Sequence, residues 1–382
     1  MFLGYVRESG AAGIRNHVGV MSMLDVANPV VRAICRSVSG TIPITTLFVR
    51  GQYGKDLDIT YRTLAGLASN PNLHSVLLIG LESTSTGLVT EMIEAAGKRV
   101  ETVVLQDVGG TVEATARGIR AAARMAVEAS RQRRTEVALG NLSIGVECGG
   151  SDGTSGLSAN PLIGYVADRV VAAGGRAVIS ETAEFLGAED IFAARAVNEE
   201  VRAAFLDRIL SHERDAIARG VDIRGTNPVP DNIRGGLTTI EEKALGAMAK
   251  AGSTPLVGVL DYAETPTAAG MHFMDTPAPA VESMTGLAAG GCQMILFATG
   301  VGNTIGSMVA PTVKITGNVN TARTLADDID VDISSVLSAG GDVEIVGNAL
   351  FETIVGIASG TVTRSEVLDQ RETAISRFDR TI

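Results

Sequence analysis

Short apolar runs alternate with amphipathic stretches along the first third of the chain. "HVGVMSM" (17–23), "ITTLFV" (44–49), "HSVLLIGL" (74–81) and "ETVVLQ" (101–106) are brief and rich in Val, Ile and Leu, the pattern of strands buried on both faces. Between them, residues 28–38, 57–69, 86–97 and 111–134 carry helical spacing. Strand–helix alternation of this kind predicts a parallel sheet flanked by helices. The last helix runs out in "RQRRTE" (131–136), where arginines sit favourably against the negative end of the helix dipole. A domain boundary is expected at 136, separating 1–136 from 137–382.

The pattern then restarts. "LSIGVEC" (142–148) and "RAVIS" (176–180) read as buried strands, with helices at about 160–173, 197–219 and 240–251. Further strands are expected near 255–260, 271–274, 293–298 and 312–316. The polar segment "RGTNPVPDNIRGGLTT" (224–239) is too long for a simple connector and is expected to serve the site. The fold class is therefore α/β, with two Rossmann-like parallel-sheet domains, the second larger and carrying an irregular long active-site loop.

Composition narrows the function. A formal net charge of −11 and an aromatic content of 4% disfavour nucleic acid, because phosphates meet a repelling field and bases find few stacking partners. No apolar run is long enough to span a bilayer, and the N-terminus lacks a signal-peptide core, so a cytoplasmic location is expected. The three cysteines, Cys35, Cys148 and Cys292, are odd in number and far apart, which fits neither a disulfide framework nor a structural zinc site.

Four polar clusters follow expected strands: "ECGGSDGTSG" (147–156), "SETAEFLGAED" (180–190), "MDTPAP" (274–279) and "ATGVGNTIG" (298–306). Open parallel sheets bind ligands beyond the carboxyl ends of their strands, so these loops are expected to converge on one crevice. Each also has a plainer reading. The glycines make turns, Glu181 and Glu184 are first-turn acids, and Asp275 is a turn residue. His74 and His212 read as structural, whereas His17 and His272 stand at strand starts. Lys243 and Lys250 lie seven apart on one helix face, the ordinary place for solvated lysines. Lys314 interrupts the apolar "PTVKIT", so a carboxylate partner is expected for it.

Taken in order, "GYVRESGAAGIRNHVGV", "ECGGSDGTSGLSANP", "SETAEFLGAED", "GGLTTIEEKALGAMAKAG", "HFMDTPAP", "FATGVGN" and "PTVKITGN" resemble the altronate/galactarate dehydratase family, which includes the large subunit of sulfolactate sulfo-lyase. The resemblance runs from residue 4 to about 360. It implies a middle α/β domain followed by a larger metal-holding domain, a separate small β-clip subunit as partner, and a homodimer. Two departures stand out. Cysteines usual in relatives are missing from stretches matching 21–28, 48–56 and 80–85, and Val301 stands where relatives carry an arginine suited to a substrate carboxylate.

The chemistry implied is removal of water from a sugar acid or other hydroxy carboxylic acid. A divalent cation stabilises the enediolate that forms when the proton beside the carboxylate leaves. Iron(II) is what the resemblance implies; the residues equally allow Mg²⁺ or Mn²⁺. The expected metal ligands are Glu147, Cys148, Glu181, Glu184 and Asp275. Lys243, beside Glu242, is the expected base, with Asp152 and Lys314 as further catalytic groups. Asn232, Thr238, Thr239, Thr299 and Ser151 are expected to bind substrate. Release of sulfite from sulfolactate and a non-catalytic subunit are the alternatives.

Overall fold

The computed structural model describes residues 1–382 except Phe48 and Ala339. Two parallel sheets dominate this mixed α/β chain. The first has four strands in the order Thr41–Ile44, His17–Ser22, Leu73–Gly80, Val100–Val104, all parallel. The second has seven parallel strands in the order Leu256–Leu260, Gly270–Met274, Arg176–Ile179, Ser143–Cys148, Met294–Ala298, Thr312–Thr316, Val331–Asp332. Its central strands are buried at every residue, as expected of strands covered on both faces.

Several boundaries differ from the sequence pattern. The second strand of the small sheet is Thr41–Ile44, not 44–49: the chain has left the sheet by Thr45, and Phe48 lies outside the described residues. The helix expected over 111–134 is Thr111–Ala129. Beyond it, Thr135–Val137 pairs antiparallel with Phe2–Val6, an edge pairing too short and polar to betray itself. The long segment at 224–239 contains two short helices, Ile223–Thr226 and Pro230–Arg234. No helix among the described residues is long and apolar enough to cross a membrane.

Helix Asn160–Ala172 covers one face of the large sheet, entered through a π-helical turn at Ser155–Ala159. Helix Ala280–Ala289 covers the other face and packs against helix Gly54–Ser69 of the first half. One apolar cluster therefore contains Met21, Leu64 and Leu78 together with Met284, Leu287 and Phe297. Buried amides stitch the same seam: Asn70 Nδ2 donates to the carbonyls of Ala288 and Cys292, and Asn72 Nδ2 to those of Gln293 and Val309.

Candidate active site

Four neighbouring strands of the large sheet, Gly270–Met274, Arg176–Ile179, Ser143–Cys148 and Met294–Ala298, deliver their carboxyl ends side by side. Glu147 and Cys148 close the third of them, Ser180 and Glu181 follow the second, and Asp275 and Thr276 follow the first. Adjacency in the sheet thus gathers acids that are far apart in sequence.

A lysine stands at the centre. Lys250, in the short 3₁₀ turn after helix Ile240–Met248, is fully buried. Its Nζ donates to Glu181 Oε2 at 2.6 Å and to Cys148 Sγ at 3.1 Å. Glu181 Oε2 also accepts from the Cys148 amide at 3.1 Å. Burial works against the charge of Lys250, but the ion pair with Glu181 outweighs it and holds the ammonium above the ordinary lysine range. Burial, with Glu181 alongside, pushes the Cys148 thiol up to about 12.

Glu147 is also wholly enclosed. Its Oε2 accepts from Ser283 at 2.6 Å and Ser180 at 2.9 Å, while its Oε1 has no partner. Burial and then the Glu181 charge raise its pKa well above the carboxylate range. Glu181 has φ of 70°, the left-handed region a non-glycine residue enters only when its surroundings insist. Thr276 is part of what holds it there, accepting from the Glu181 amide at 2.8 Å. Asp275 joins through Thr182, whose hydroxyl donates to Asp275 Oδ1 at 2.6 Å.

A second lysine–glutamate pair adjoins the first. Glu184, in the 3₁₀ turn Thr182–Phe185, receives Lys243 Nζ at 2.8 Å. Lys243 also donates to Asn227 Oδ1 at 2.7 Å, which ties the long segment to the site. The other oxygen, Glu184 Oε2, is buried without a partner. Two lysines and four carboxyls, Glu147, Glu181, Glu184 and Asp275, thus gather beyond the sheet.

The remaining expected residues lie elsewhere. Asp152 is engaged on both oxygens: Oδ1 accepts from Thr154 Oγ1 and from the amide and hydroxyl of Ser155, and Oδ2 accepts from Asn318 at 2.7 Å. It shapes the glycine loop, and Gly300 makes room for it, since a Cβ there would meet Asp152 Cγ at 2.2 Å. Asn232 donates to the Ser151 carbonyl at 2.9 Å, and Thr299 Oγ1 accepts from the Gly302 amide, so these three also hold loops. Thr239 caps helix Ile240–Met248, while exposed Glu242 accepts from the amide and hydroxyl of Thr238. Among the described residues no carboxylate pairs with Lys314 Nζ, contrary to expectation. It donates to the Thr304 carbonyl at 2.7 Å and Gln370 Oε1 at 2.6 Å, and shares a row with Glu147 only across Phe297.

The donor set does not fit the expected divalent cation. The ammonium of Lys250 already bridges Glu181 Oε2 and Cys148 Sγ. Among the described residues, no group of three or more His, Cys, Asp or Glu side chains is arranged to hold a metal ion. Lys250 stands against two of the residues expected as metal ligands, Cys148 and Glu181. Its one sequence signal is "GAMAKAG", a lysine among small residues with no polar neighbour, seven positions after Lys243.

The sequence of this chain matches two family models. Residues 139–381 fit the D-galactarate/altronate dehydratase C-terminal domain, and residues 4–130 fit the second domain of D-galactarate dehydratase/altronate hydrolase. The chain is 39% identical to the (2R)-sulfolactate sulfo-lyase subunit beta of Chromohalobacter salexigens, over 99% of this chain and 97% of that one. It is 33% identical to the altronate dehydratase of Bacillus subtilis and 31% identical to that of Escherichia coli, over 78% of each relative's length. With both halves matched and all of these relatives lyases, the chain belongs to the D-galactarate/altronate dehydratase family.

Proposed function

We propose that the chain is the catalytic subunit of a lyase that removes water from a sugar acid or smaller hydroxy carboxylic acid to give a 2-oxo acid. The observation that carries this reading is the pair of adjoining lysine–glutamate contacts, Lys250–Glu181 and Lys243–Glu184. In the reaction, a base takes the proton from C2, the electron pair forms the C2–C3 double bond, and hydroxide leaves C3 with a proton from a general acid. The resulting enol then tautomerises to the 2-oxo acid.

Glu184, with one oxygen unpartnered, takes the C2 proton. Lys243, 2.8 Å from that same carboxylate, protonates the leaving hydroxyl. This moves the base from Lys243, where the sequence suggested it, to its partner. Lys250, fixed as a buried ammonium, faces the charge that develops on the enediolate, the part expected of a divalent cation.

A second reading, release of sulfite from sulfolactate, is favoured by the match along nearly the full length of a sulfo-lyase subunit. Sulfite leaves without a proton, so Lys243 separates the two. In the dehydration, Lys243→Met lowers kcat by about 10²–10⁴-fold. In sulfite release, Lys243→Met leaves kcat within a few-fold and Glu184→Gln alone abolishes turnover. The measurement is 2-oxo acid formation from altronate, galactarate, shorter hydroxy acids and sulfolactate, with and without a co-expressed small β-clip subunit. That partner is proposed from the word "subunit" in the relative's name, and residues 1–136 are proposed to serve assembly of a homodimer. No product from any of these acids, with the partner present, overturns the proposal.

A further inference from the structure

Two cations of the first half, Arg7 and Lys98, line one cavity of about 540 Å³, and among the described residues neither forms an ion pair. Lys98 is only 9% exposed. Its Nζ donates to the carbonyls of Asn70 at 3.0 Å and Leu73 at 2.6 Å, which leaves one ammonium hydrogen without a protein acceptor. Half-buried Arg7 spends its guanidinium on neutral oxygens, the carbonyls of Pro71 and Arg15 and the side chains of Asn16 and Gln132, at 2.6–2.9 Å. Ser69, Pro71, His74 and Arg99 line the same cavity.

Buried charges are normally paired, so this arrangement lacks its counter-charge. Burial and then the Arg7 charge bring the Lys98 ammonium down to about 7, and burial brings Arg7 down to about 10. The acids of the lining do not relieve this: Glu8 and Glu94 are exposed, and neither bonds to Arg7 or Lys98. Arg99 differs from the other two cations, being exposed and already paired with Glu101 and Glu128. Ser69 Oγ is buried without a hydrogen-bond partner, although buried hydroxyls are normally satisfied. His74 is engaged only at Nδ1, by Ser75 Oγ at 3.0 Å.

We infer that this cavity binds a tetrahedral dianion, phosphate either free or carried as a monoester. A dianion neutralises both buried cations, whereas a carboxylate neutralises one and leaves the other stranded. The volume lies within the range of small-molecule sites, which leaves room for an esterified group. The turn that carries Ser69, Pro71 and His74 to the cavity also carries Asn70 and Asn72, whose amides hold carbonyls of the second half. An anion seated here therefore stiffens the turn that ties the two halves together. Nothing in this inference rests on the proposed reaction, so a chain inert toward every hydroxy acid would keep it.

The test is calorimetric titration of the full chain, at neutral pH and fixed ionic strength, with inorganic phosphate, glycerol 3-phosphate and acetate. At least one of the two phosphates is expected to bind about ten-fold or more tightly than acetate, and the tighter of the two identifies the form recognised. Lys98→Met should weaken that binding about ten-fold or more, and Arg7→Met serves should Lys98→Met fail to fold. Arg99→Gln, which removes a charge already spent on glutamates, should change it less than about three-fold. Amide exchange in residues 69–74 of the unaltered chain should slow with the phosphate and not with acetate. Phosphates no tighter than acetate, unchanged binding in the folded Lys98 or Arg7 variant, an equal loss in Arg99→Gln, or unaltered exchange in that turn would each overturn the inference.

Discussion

Single residues show how burial rewrites ordinary side-chain chemistry. The spacing of Lys243 and Lys250 reads as two solvated lysines, yet Lys250 is fully buried and bonded to Glu181 and Cys148. No local pattern separates an exposed helical lysine from one folded under a sheet edge. His17, at a strand start, is half-buried, and no catalytic group among the described residues is hydrogen-bonded to it. Burial, only partly offset by Glu366, holds its pKa near about 4 against an ordinary 6.5. Between pH 6.5 and 4 the unfolded chain therefore takes up a proton that the folded chain refuses. Stability is fully present above pH 6.5 and declines toward pH 4, by about 3 kcal/mol from this group. In His17→Gln, the drop in thermal midpoint between pH 7 and pH 4.5 should shrink; an unchanged drop would locate the acid sensitivity elsewhere.

At the scale of elements, the strand–helix order of the large sheet follows from the sequence pattern, because runs such as 142–148 and 293–298 are too apolar to lie anywhere but in a covered sheet. The short pieces do not follow, since two- and three-residue strands such as Thr135–Val137 exist only because a partner edge is there. Helix placement matters directly to the site. Gly164 lets helix Asn160–Ala172 lie against the turn that carries Lys250: a Cβ there would meet the Ala249 carbonyl oxygen at 2.3 Å and the Gly252 amide nitrogen at 2.7 Å. Gly164→Ala should cost about 1–3 kcal/mol of stability and cut turnover more than the lost folded fraction explains. Urea denaturation and kcat on the same preparation check this; wild-type kcat in a destabilised variant would uncouple the helix from Lys250.

Across the whole molecule, the two halves are joined by buried polar contacts as much as by apolar ones. Arg15 is 5% exposed and bidentate to Glu366 at 2.6 and 2.8 Å, with further bonds to the carbonyls of Ile14, Ile357 and Thr361. Removing one partner strands a buried charge, so Arg15→Ala should cost about 3–5 kcal/mol, read as a lower urea midpoint. A cost below 1 kcal/mol would mean that the seam does not depend on this pair. The sequence by itself determined the α/β class, the parallel strands, the family and the loops that bear the acids, because hydrophobic period and local turn chemistry are written in neighbouring residues. Only the tertiary structure decided that Lys250 is buried against Glu181 and Cys148, that Lys314 Nζ rests on the Thr304 carbonyl and Gln370, and that the last residues reach back to Asp56 and Gly51. Those outcomes depend on burial and on contacts between residues more than a hundred positions apart, which no local spacing encodes.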